Sequence, residues 1–172
     1  MKTLLRFNHW QVFLLIYGIP GLSWFIPFSM PANPLHRIVA LVAYIYLMVW
    51  VYGYAFAIGK ELERKLPASY SPARWILVSH YVYICIAVIP IGVITWLRMD
   101  WARDFISLFV PVMIYFLISA FVVVRYAAKV FASVELGREA KPLEYAGYLF
   151  AIWFSFAGIW IVQPKIRSIV HQ

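Results

Sequence analysis

Long apolar stretches dominate the pattern of hydrophobic and polar positions along this chain. A helix that crosses a bilayer needs about 20 apolar residues, and five windows of the sequence meet that requirement. They are Trp10–Phe28, Ile38–Gly59, Trp75–Leu97, Phe105–Val124 and Tyr145–Val162. The pattern therefore predicts an all-α fold, a polytopic integral membrane helix bundle of about five transmembrane helices that forms a single domain over residues 1–172.

The second and fourth windows run on into charged sequence that favours helix. Residues 60–66 and 125–136 hold neither Gly nor Pro, and Pro67 and Gly137 then act as stop signals. Helices over 38–66 and 105–136 would be roughly 43 and 48 Å long at about 1.5 Å per residue, against a hydrocarbon core of about 30 Å. We therefore predict cytoplasmic helix extensions at about residues 60–74 and 125–143.

The first window carries Gly18, Pro20 and Gly21 near its middle. Proline inside a helix removes one backbone hydrogen bond and clashes with the preceding turn, so a kink is expected there. A spanning helix is favoured for this window. A re-entrant or interfacial hairpin is the alternative.

Composition agrees with a membrane protein. Hydrophobic residues make up 65% of the chain and charged residues 13%, whereas soluble domains average about 45–50% and about 25%. The net charge of +8 then indicates membrane topology and contact with anionic lipid, because the sequence carries no basic domain or motif that reads nucleic acid. The lipid bilayer is the expected partner.

The distribution of Lys and Arg predicts an N-in/C-out orientation, because cytoplasmic loops carry the excess of positive charge. Ten of these residues fall on the inner side: Lys2, Arg6, Lys60, Arg64, Lys65, Arg74, Arg125, Lys129, Arg138 and Lys141. Five fall on the outer side: Arg37, Arg98, Arg103, Lys165 and Arg167.

No acidic residue lies inside any of the five windows. Proton- and ion-coupled transporters place ionisable groups at mid-membrane depth, so this distribution argues against them and against catalysis by buried carboxylates. We expect a protein that is not an enzyme and has no cofactor. The single cysteine, Cys85, has no companion for a disulfide or a metal site and is expected to pack as a small apolar residue.

His9 and His80 are expected at similar depth on two helices. A pair of neutral imidazoles is able to ligate haem iron, which makes a haem- or quinone-binding redox subunit one alternative. Hydrogen-bonded or interfacial histidines are the favoured interpretation. Several tyrosines, including Tyr83, also lie deep in the windows, where each hydroxyl needs a polar partner. His80, Tyr83 and Gln163 are the candidate pocket residues.

The sequence of the segment Gly158–Ile166 indicates a helix that leaves the membrane. Proline is a stop signal, and Lys165 suits the headgroup layer, so the last helix is expected to end near Pro164. The amide of Gln163 is expected to cap a helix end or to contact a partner.

The extension after Val124 is amphipathic. Val130 and Val134 repeat at helical spacing, while the four charged residues between positions 125 and 138 are able to face water. A snorkelling helix end is the simpler interpretation, and a docking surface for a cytoplasmic partner is the other. The candidate contact residues are Arg125, Lys129, Glu135 and Arg138.

Both ends of the chain carry recognisable motifs. They are Asn8-His-Trp-Gln-Val-Phe13 with Gly18-Ile-Pro20, then Val134-Glu-Leu136, and the tail Gly158-Ile-Trp-Ile-Val-Gln-Pro-Lys-Ile166. With these motifs the chain resembles a family of small uncharacterised polytopic inner-membrane proteins of Bacteroidota. In that family an Asn follows the tail, where Arg167 stands here. The resemblance implies a multi-pass protein of the bacterial cytoplasmic (inner) membrane and brings no activity with it.

Extensive helix surface without a recognisable chemical constellation favours an accessory or scaffolding subunit that packs against other membrane subunits or against its own copies. A channel or transporter for a neutral or lipidic solute, with an aromatic-lined cavity, is the alternative from a different class.

Overall fold

The computed structural model describes residues 5–22, 34–66, 74–97 and 106–170, and the regular structure in these ranges is entirely helical. The all-α prediction is thereby confirmed. Two helical segments, Val42–Lys65 and Val110–Leu136, have the length and apolar composition of membrane spans, and Leu77–Ala87 is a shorter apolar helical segment.

Besides the helical residues Leu5 and Arg6, the described ranges contain six helices. The first, α1, runs over residues 9–22 and consists of an α-helical turn at His9–Phe13, a wider π-helical turn at Leu14–Gly18 and an α-helical turn at Ile19–Leu22. The others are α2 (Pro34–Leu62), α3 (Arg74–Leu97), α4 (Ile106–Leu136), α5 (Pro142–Trp153) and α6 (Ser155–Val170). A single 3-10 turn, Glu63–Lys65, follows α2.

The start of α1 is fixed by a capping box. The Asn8 side chain accepts a hydrogen bond from the backbone N–H of Gln11 (2.8 Å), and the Gln11 side chain accepts one from the backbone N–H of Asn8 (2.9 Å). The π-helical turn lies directly before Pro20, the residue at which the sequence predicts a kink, and such turns are one way in which a helix accommodates an interruption. The remainder of the first window, residues 23–28, lies outside the described residues.

The core lies between α2 and α4. Small buried residues on α4, among them Ala120, Ala127 and Ala128, let the two helix backbones approach closely. Gly59 on α2 faces the ring of Tyr126 on α4, because a Cβ atom built on Gly59 would lie 2.7 Å from the Tyr126 Cδ1 atom.

The extended helices follow the sequence pattern. Helix α4 continues to Leu136 and ends at Gly137, which adopts a left-handed backbone conformation with φ of 65°. Helix α2 continues to Leu62 and the 3-10 turn after it. Residues 67–73 of the predicted second-helix extension lie outside the described residues. Protrusion of these ends into the cytoplasm stays a prediction.

The fifth window is not one helix. Helix α5 ends at Trp153, Phe154 has non-helical angles (φ −90°, ψ 53°), and α6 starts at Ser155. The Lys165 ammonium donates a hydrogen bond of 2.7 Å to the Tyr148 hydroxyl, although 17 residues of straight helix would place these positions about 26 Å apart. The continuous span predicted over Tyr145–Val162 is therefore wrong, and α5 and α6 form a helical hairpin.

A glycine makes this hairpin possible. A Cβ atom on Gly158 would lie 1.5 Å from the main-chain oxygen of Ala151, so α6 folds back on α5 only because residue 158 has no side chain.

The described end of α6 consequently returns to the end of the bundle that holds the charged ends of α2 and α4. The predicted C-out orientation stays a prediction.

The stop predicted at Pro164 is also wrong, because α6 continues through Pro164 to Val170. Proline removes only one helical hydrogen bond, and contacts on both sides of it hold the helix in place. Gln163 and Ile166 are both fully buried against neighbouring segments.

Candidate functional site

The charged end of α4 is bonded to the α5–α6 hairpin. Arg125 Nε donates a hydrogen bond to the Tyr145 hydroxyl on α5 (3.2 Å), and Lys129 Nζ donates one to Glu139 (2.5 Å) in the loop between α4 and α5. The hydroxyl of Ser133 accepts a hydrogen bond from the backbone N–H of Ala140 (2.9 Å), which ties the same loop to α4.

Glu135 joins both legs of the hairpin to α4. Its carboxylate accepts hydrogen bonds from the Lys165 ammonium on α6 (3.0 Å) and from the Tyr148 hydroxyl on α5. The Lys165 ammonium also lies 5.0 Å from the centre of the Tyr148 ring, within the range of a cation–π interaction. One carboxylate at the end of α4 thus connects three helices.

Arg138 and Glu144 form a bidentate ion pair at the start of α5. The guanidinium donates hydrogen bonds of 3.0 and 2.6 Å to the two carboxylate oxygens, and the backbone N–H of Lys141 donates a third of 2.7 Å. These bonds, with the Arg138 bond the strongest, lower the pKa of Glu144 to about 2. The same pair raises the pKa of Arg138.

All four candidate contact residues, Arg125, Lys129, Glu135 and Arg138, are therefore engaged within the chain. We define the base of the hairpin as these residues with their partners, which are Glu139, Glu144, Tyr145, Tyr148 and Lys165. Contact with a cytoplasmic partner stays a prediction, while the intramolecular role is a feature of the structure.

The opposite end of the hairpin is apolar and exposed. We define its tip by the large side chains near the helix break, which are Phe150, Trp153, Phe154 and Phe156. A cavity of about 340 Å³ lies at the tip, lined by Tyr17, Trp153, Phe154, Ser155, Phe156 and Ala157. The hydroxyls of Tyr17 and Ser155, which both belong to this lining, are hydrogen-bonded to each other.

Aromatic rings join α6 to α1. The rings of Trp10 and Trp160 meet edge to face at 4.2 Å, and those of Phe13 and Phe156 at 5.3 Å. His9 lies 4.6 Å from the Trp160 ring. The two helices are antiparallel, because Trp10 contacts Trp160 whereas Phe13, further along α1, contacts Phe156, which comes earlier in α6.

Gln163 is the centre of a buried hydrogen-bond network. Its side chain is 0% exposed. The amide oxygen accepts a hydrogen bond from the Tyr54 hydroxyl on α2 (2.7 Å), and the amide nitrogen donates to the main-chain oxygens of Leu5 (3.2 Å) and Phe7 (2.6 Å). Gln163 therefore connects α6, α2 and the segment before α1, and the carbonyls that it bonds lie where the helical residues Leu5 and Arg6 end.

His80 and Tyr83, the other two pocket candidates, lie together between α3 and α4. His80 Nδ1 is 2.9 Å from the Ser119 hydroxyl, and the Tyr83 hydroxyl donates to the main-chain oxygen of Val112 (3.1 Å). The ring of Tyr115 lies 5.8 Å from His80 and 4.5 Å from Tyr83. Gln163 belongs to a different part of the bundle.

The histidines proposed for haem occupy different helix pairs. His9 packs between α1 and α6, whereas His80 bonds across from α3 to α4. Within the ranges that the structure describes, no three residues from His, Cys, Asp and Glu are grouped as metal ligands.

Sequence reasoning missed the hairpin and hence the partners of the charged residues. Three signals were present: Ser155, a residue type that favours helix starts, inside an apolar run; Gly158 shortly after it; and the pair of Pro142 and Glu144 that opens α5. None of these outweighs an apolar window of spanning length when the sequence is read alone.

Comparison of the chain with protein-family models, with curated proteins and with solved structures finds no match.

Proposed function

We propose that this chain is a non-enzymatic integral membrane protein that acts as an accessory or scaffolding subunit, through a surface on α3 and α4 that packs against a second membrane chain. In this proposal the protein is a multi-pass protein of the bacterial cytoplasmic membrane with its N-terminus inside. The charged ends of α2 and α4 then face the cytoplasm, as the excess of Lys and Arg there supports.

The proposed assembly surface is made of exposed apolar side chains on both helices. Its members recur at helical spacing on the outward faces of two helices that pack against each other. On α3 they are Val78, Val82 and Ile86, and on α4 they are Val110, Met113, Ile114, Leu117, Ile118 and Phe121.

Tyr115 is the observation that carries the proposal, because it brings a hydroxyl to the partly exposed surface where α3 and α4 meet. The side chain is 44% exposed, and its ring lies 4.5 Å from that of Tyr83 on α3. A hydroxyl left without a partner in an apolar medium costs about 1–3 kcal/mol. A polar atom on a second chain would remove that cost, whereas acyl chains would not.

Molar mass in a mild detergent tests the proposal, with a second copy of the chain as the first partner examined. We expect a species larger than the 20.0 kDa chain, and we expect Leu117→Trp to weaken it by overfilling the surface. Leu143→Trp is the matched control, because Leu143 is 91% exposed on another helix. A purified chain that is strictly monomeric, and that retains no other subunit when solubilised from native membranes at low detergent, would overturn the proposal.

Binding of a lipidic solute is a second candidate function, favoured by the cavity at the hairpin tip. Its walls are mainly aromatic and apolar, with the hydroxyls of Tyr17 and Ser155 among the few polar groups, which suits an amphiphile with a small polar group. A monomer that moves such a solute across liposome membranes would support this candidate over the scaffolding role.

A further inference from the structure

We infer that the α5–α6 hairpin is a re-entrant segment that enters the membrane from the cytoplasmic side and returns to it, with its tip bound among the acyl chains of that leaflet. The C-terminal end of α6 then lies on the same side as the charged ends of α2 and α4. This inference rests on the membrane placement proposed above, although it does not depend on the scaffolding role.

Direct contacts place the two ends of the hairpin at one level. Glu139, at the entry to α5, is bonded to Lys129 on α4, and Glu144 is bonded to Arg138, two residues after the end of α4. At the far end of α6, Lys165 bonds Glu135 on α4, and the main-chain oxygen of Ile169 accepts a hydrogen bond from Lys65 after α2. The start of α5 and the end of α6 therefore both lie beside the charged ends of α2 and α4.

The hairpin is too short to cross a bilayer. Its tip reaches the level of Phe121, whose ring lies 6.1 Å from that of Trp153. Phe121 is 15 residues from Leu136 at the end of α4, which is about 22 Å of helix. Helix α5, with 12 residues, is about 18 Å long. Both lengths fall short of the hydrocarbon core of about 30 Å.

Charge supports the same arrangement. With the end of α6 outside, the Lys and Arg count is ten inside and five outside. Moving Lys165 and Arg167 to the inner side changes this count to twelve against three, the latter being Arg37, Arg98 and Arg103. The bias in positive charge rises from twofold to fourfold, in the direction that cytoplasmic loops show.

The surface of the hairpin is apolar at its tip and charged at its base, as insertion of the tip into a membrane requires. The tip exposes Phe150, Phe154 and Phe156, and Trp153 lies against Phe121. Acyl chains of the inner leaflet are the occupant that fits, because Phe121 belongs to the segment of α4 that has the length and composition of a membrane span. The base exposes ion pairs suited to the headgroup layer and to anionic lipid.

Site-directed labelling tests the topology. In a Cys85→Ala background, single cysteines replace Ser168 at the exposed end of α6, Arg64 as the inner control and Asp100 as the outer control. Intact cells are treated with a membrane-impermeant maleimide before and after permeabilisation. We expect the Ser168→Cys protein to react only after permeabilisation, as the Arg64→Cys protein does, while the Asp100→Cys protein reacts in intact cells.

Reaction of the Ser168→Cys protein in intact cells, with both controls behaving as expected, would overturn the re-entrant hairpin and leave the membrane placement intact. Equal reaction of the two control proteins would instead overturn the membrane placement itself. The two failures are thus distinguishable.

The depth of the tip is measured separately on protein in liposomes. A nitroxide attached at Phe154→Cys is expected to collide more often with oxygen, which concentrates in the acyl layer, than with a water-soluble nickel complex. The same label at Leu143→Cys, near the base, is expected to show the opposite preference. A Phe154 label as accessible to the nickel complex as the Leu143 label would contradict insertion of the tip.

Discussion

The pair of α2 and α4 and the hairpin of α5 and α6 are both made of apolar helices, yet they are held together in different ways. Helices α2 and α4 meet through small buried side chains such as Ala127 and through Gly59, which faces a ring. The hairpin is held by a glycine against a main-chain oxygen, by Gln163 and by the ion pairs of its base. Apolar composition brings helices together, while a few specific contacts decide where one of them turns back.

Gly158→Ala is expected to have the largest effect on the hairpin. The new Cβ would lie 1.5 Å from the Ala151 oxygen, and because that atom belongs to the main chain, the clash is relieved only by opening the hairpin. We expect a loss of at least about 3 kcal/mol in the free energy of unfolding, at the upper end of single substitutions. Titration of the detergent-solubilised protein with a denaturing detergent, followed by circular dichroism, measures it.

Gly147→Ala on α5 is the matched control. No atom lies within 4 Å of a Cβ built on Gly147, so replacement by alanine should leave stability unchanged or raise it by about 0.5–1 kcal/mol, through the better helix propensity of alanine. Equal behaviour of the two variants would show that the turn at Phe154 does not depend on the close contact at Gly158.

Gln163→Leu is expected to have the next largest effect. It leaves the Tyr54 hydroxyl and the main-chain oxygens of Leu5 and Phe7 without the amide that they bond. Each buried polar group that loses its partner costs about 1–3 kcal/mol, so we expect a loss of about 2 kcal/mol or more. The same unfolding titration measures it.

A double-mutant cycle with Tyr54→Phe separates the hydrogen bond from packing. Tyr54→Phe removes the hydroxyl that Gln163 accepts from, so the double variant should lose less stability than the sum of the two single variants. Strict additivity would mean that the bond between Gln163 and Tyr54 does not stabilise the junction of α2 and α6.

Gly59→Ala tests the contact between α2 and α4 in the same way and should cost less than Gly158→Ala. The new Cβ would lie 2.7 Å from Cδ1 of Tyr126, and a side-chain ring is able to shift where a main-chain oxygen is not. We expect a loss of about 1 kcal/mol, in the range of mild overpacking. A loss as large as that of Gly158→Ala would show that the two helix contacts are equally rigid.

The smallest expected effect is the pH dependence of the base. The pKa of Glu144 in the folded protein is about 2, below its ordinary value of 4.5, so the unfolded chain binds this proton more readily. The stabilisation is therefore fully present above about pH 4.5 and is lost as the pH falls towards 2. Thermal unfolding at several pH values should show a smaller decrease in this window for Glu144→Gln than for the unchanged chain.

Because Glu144 is exposed, this contribution is small, as it is for most surface ion pairs. Glu61→Gln is a suitable control, since its contact with Arg64 is longer, at 3.9 Å, and lies at the end of α2. Loss of the pH dependence in the control as well would assign it to general charge effects and not to the Arg138–Glu144 pair.

The sequence by itself determined the helical class, the long apolar helices and several of their ends. Leu136 is followed by Gly137, whose backbone takes the left-handed conformation that glycine favours, so a local signal is enough to end α4 there. Positions such as Val110 and Leu117 repeat at helical spacing, and this period is visible without any neighbour.

Only the tertiary structure decided where the fifth window turns and what the charged residues bond. The turn at Phe154 depends on contacts between Gly158 and Ala151 and between Lys165 and Glu135, and the second of these joins residues 30 positions apart. A helix continuing through Phe154 and one folding back have the same local propensity and the same hydropathy. The choice between them is made by packing against α4, α1 and α2, which no window of sequence contains.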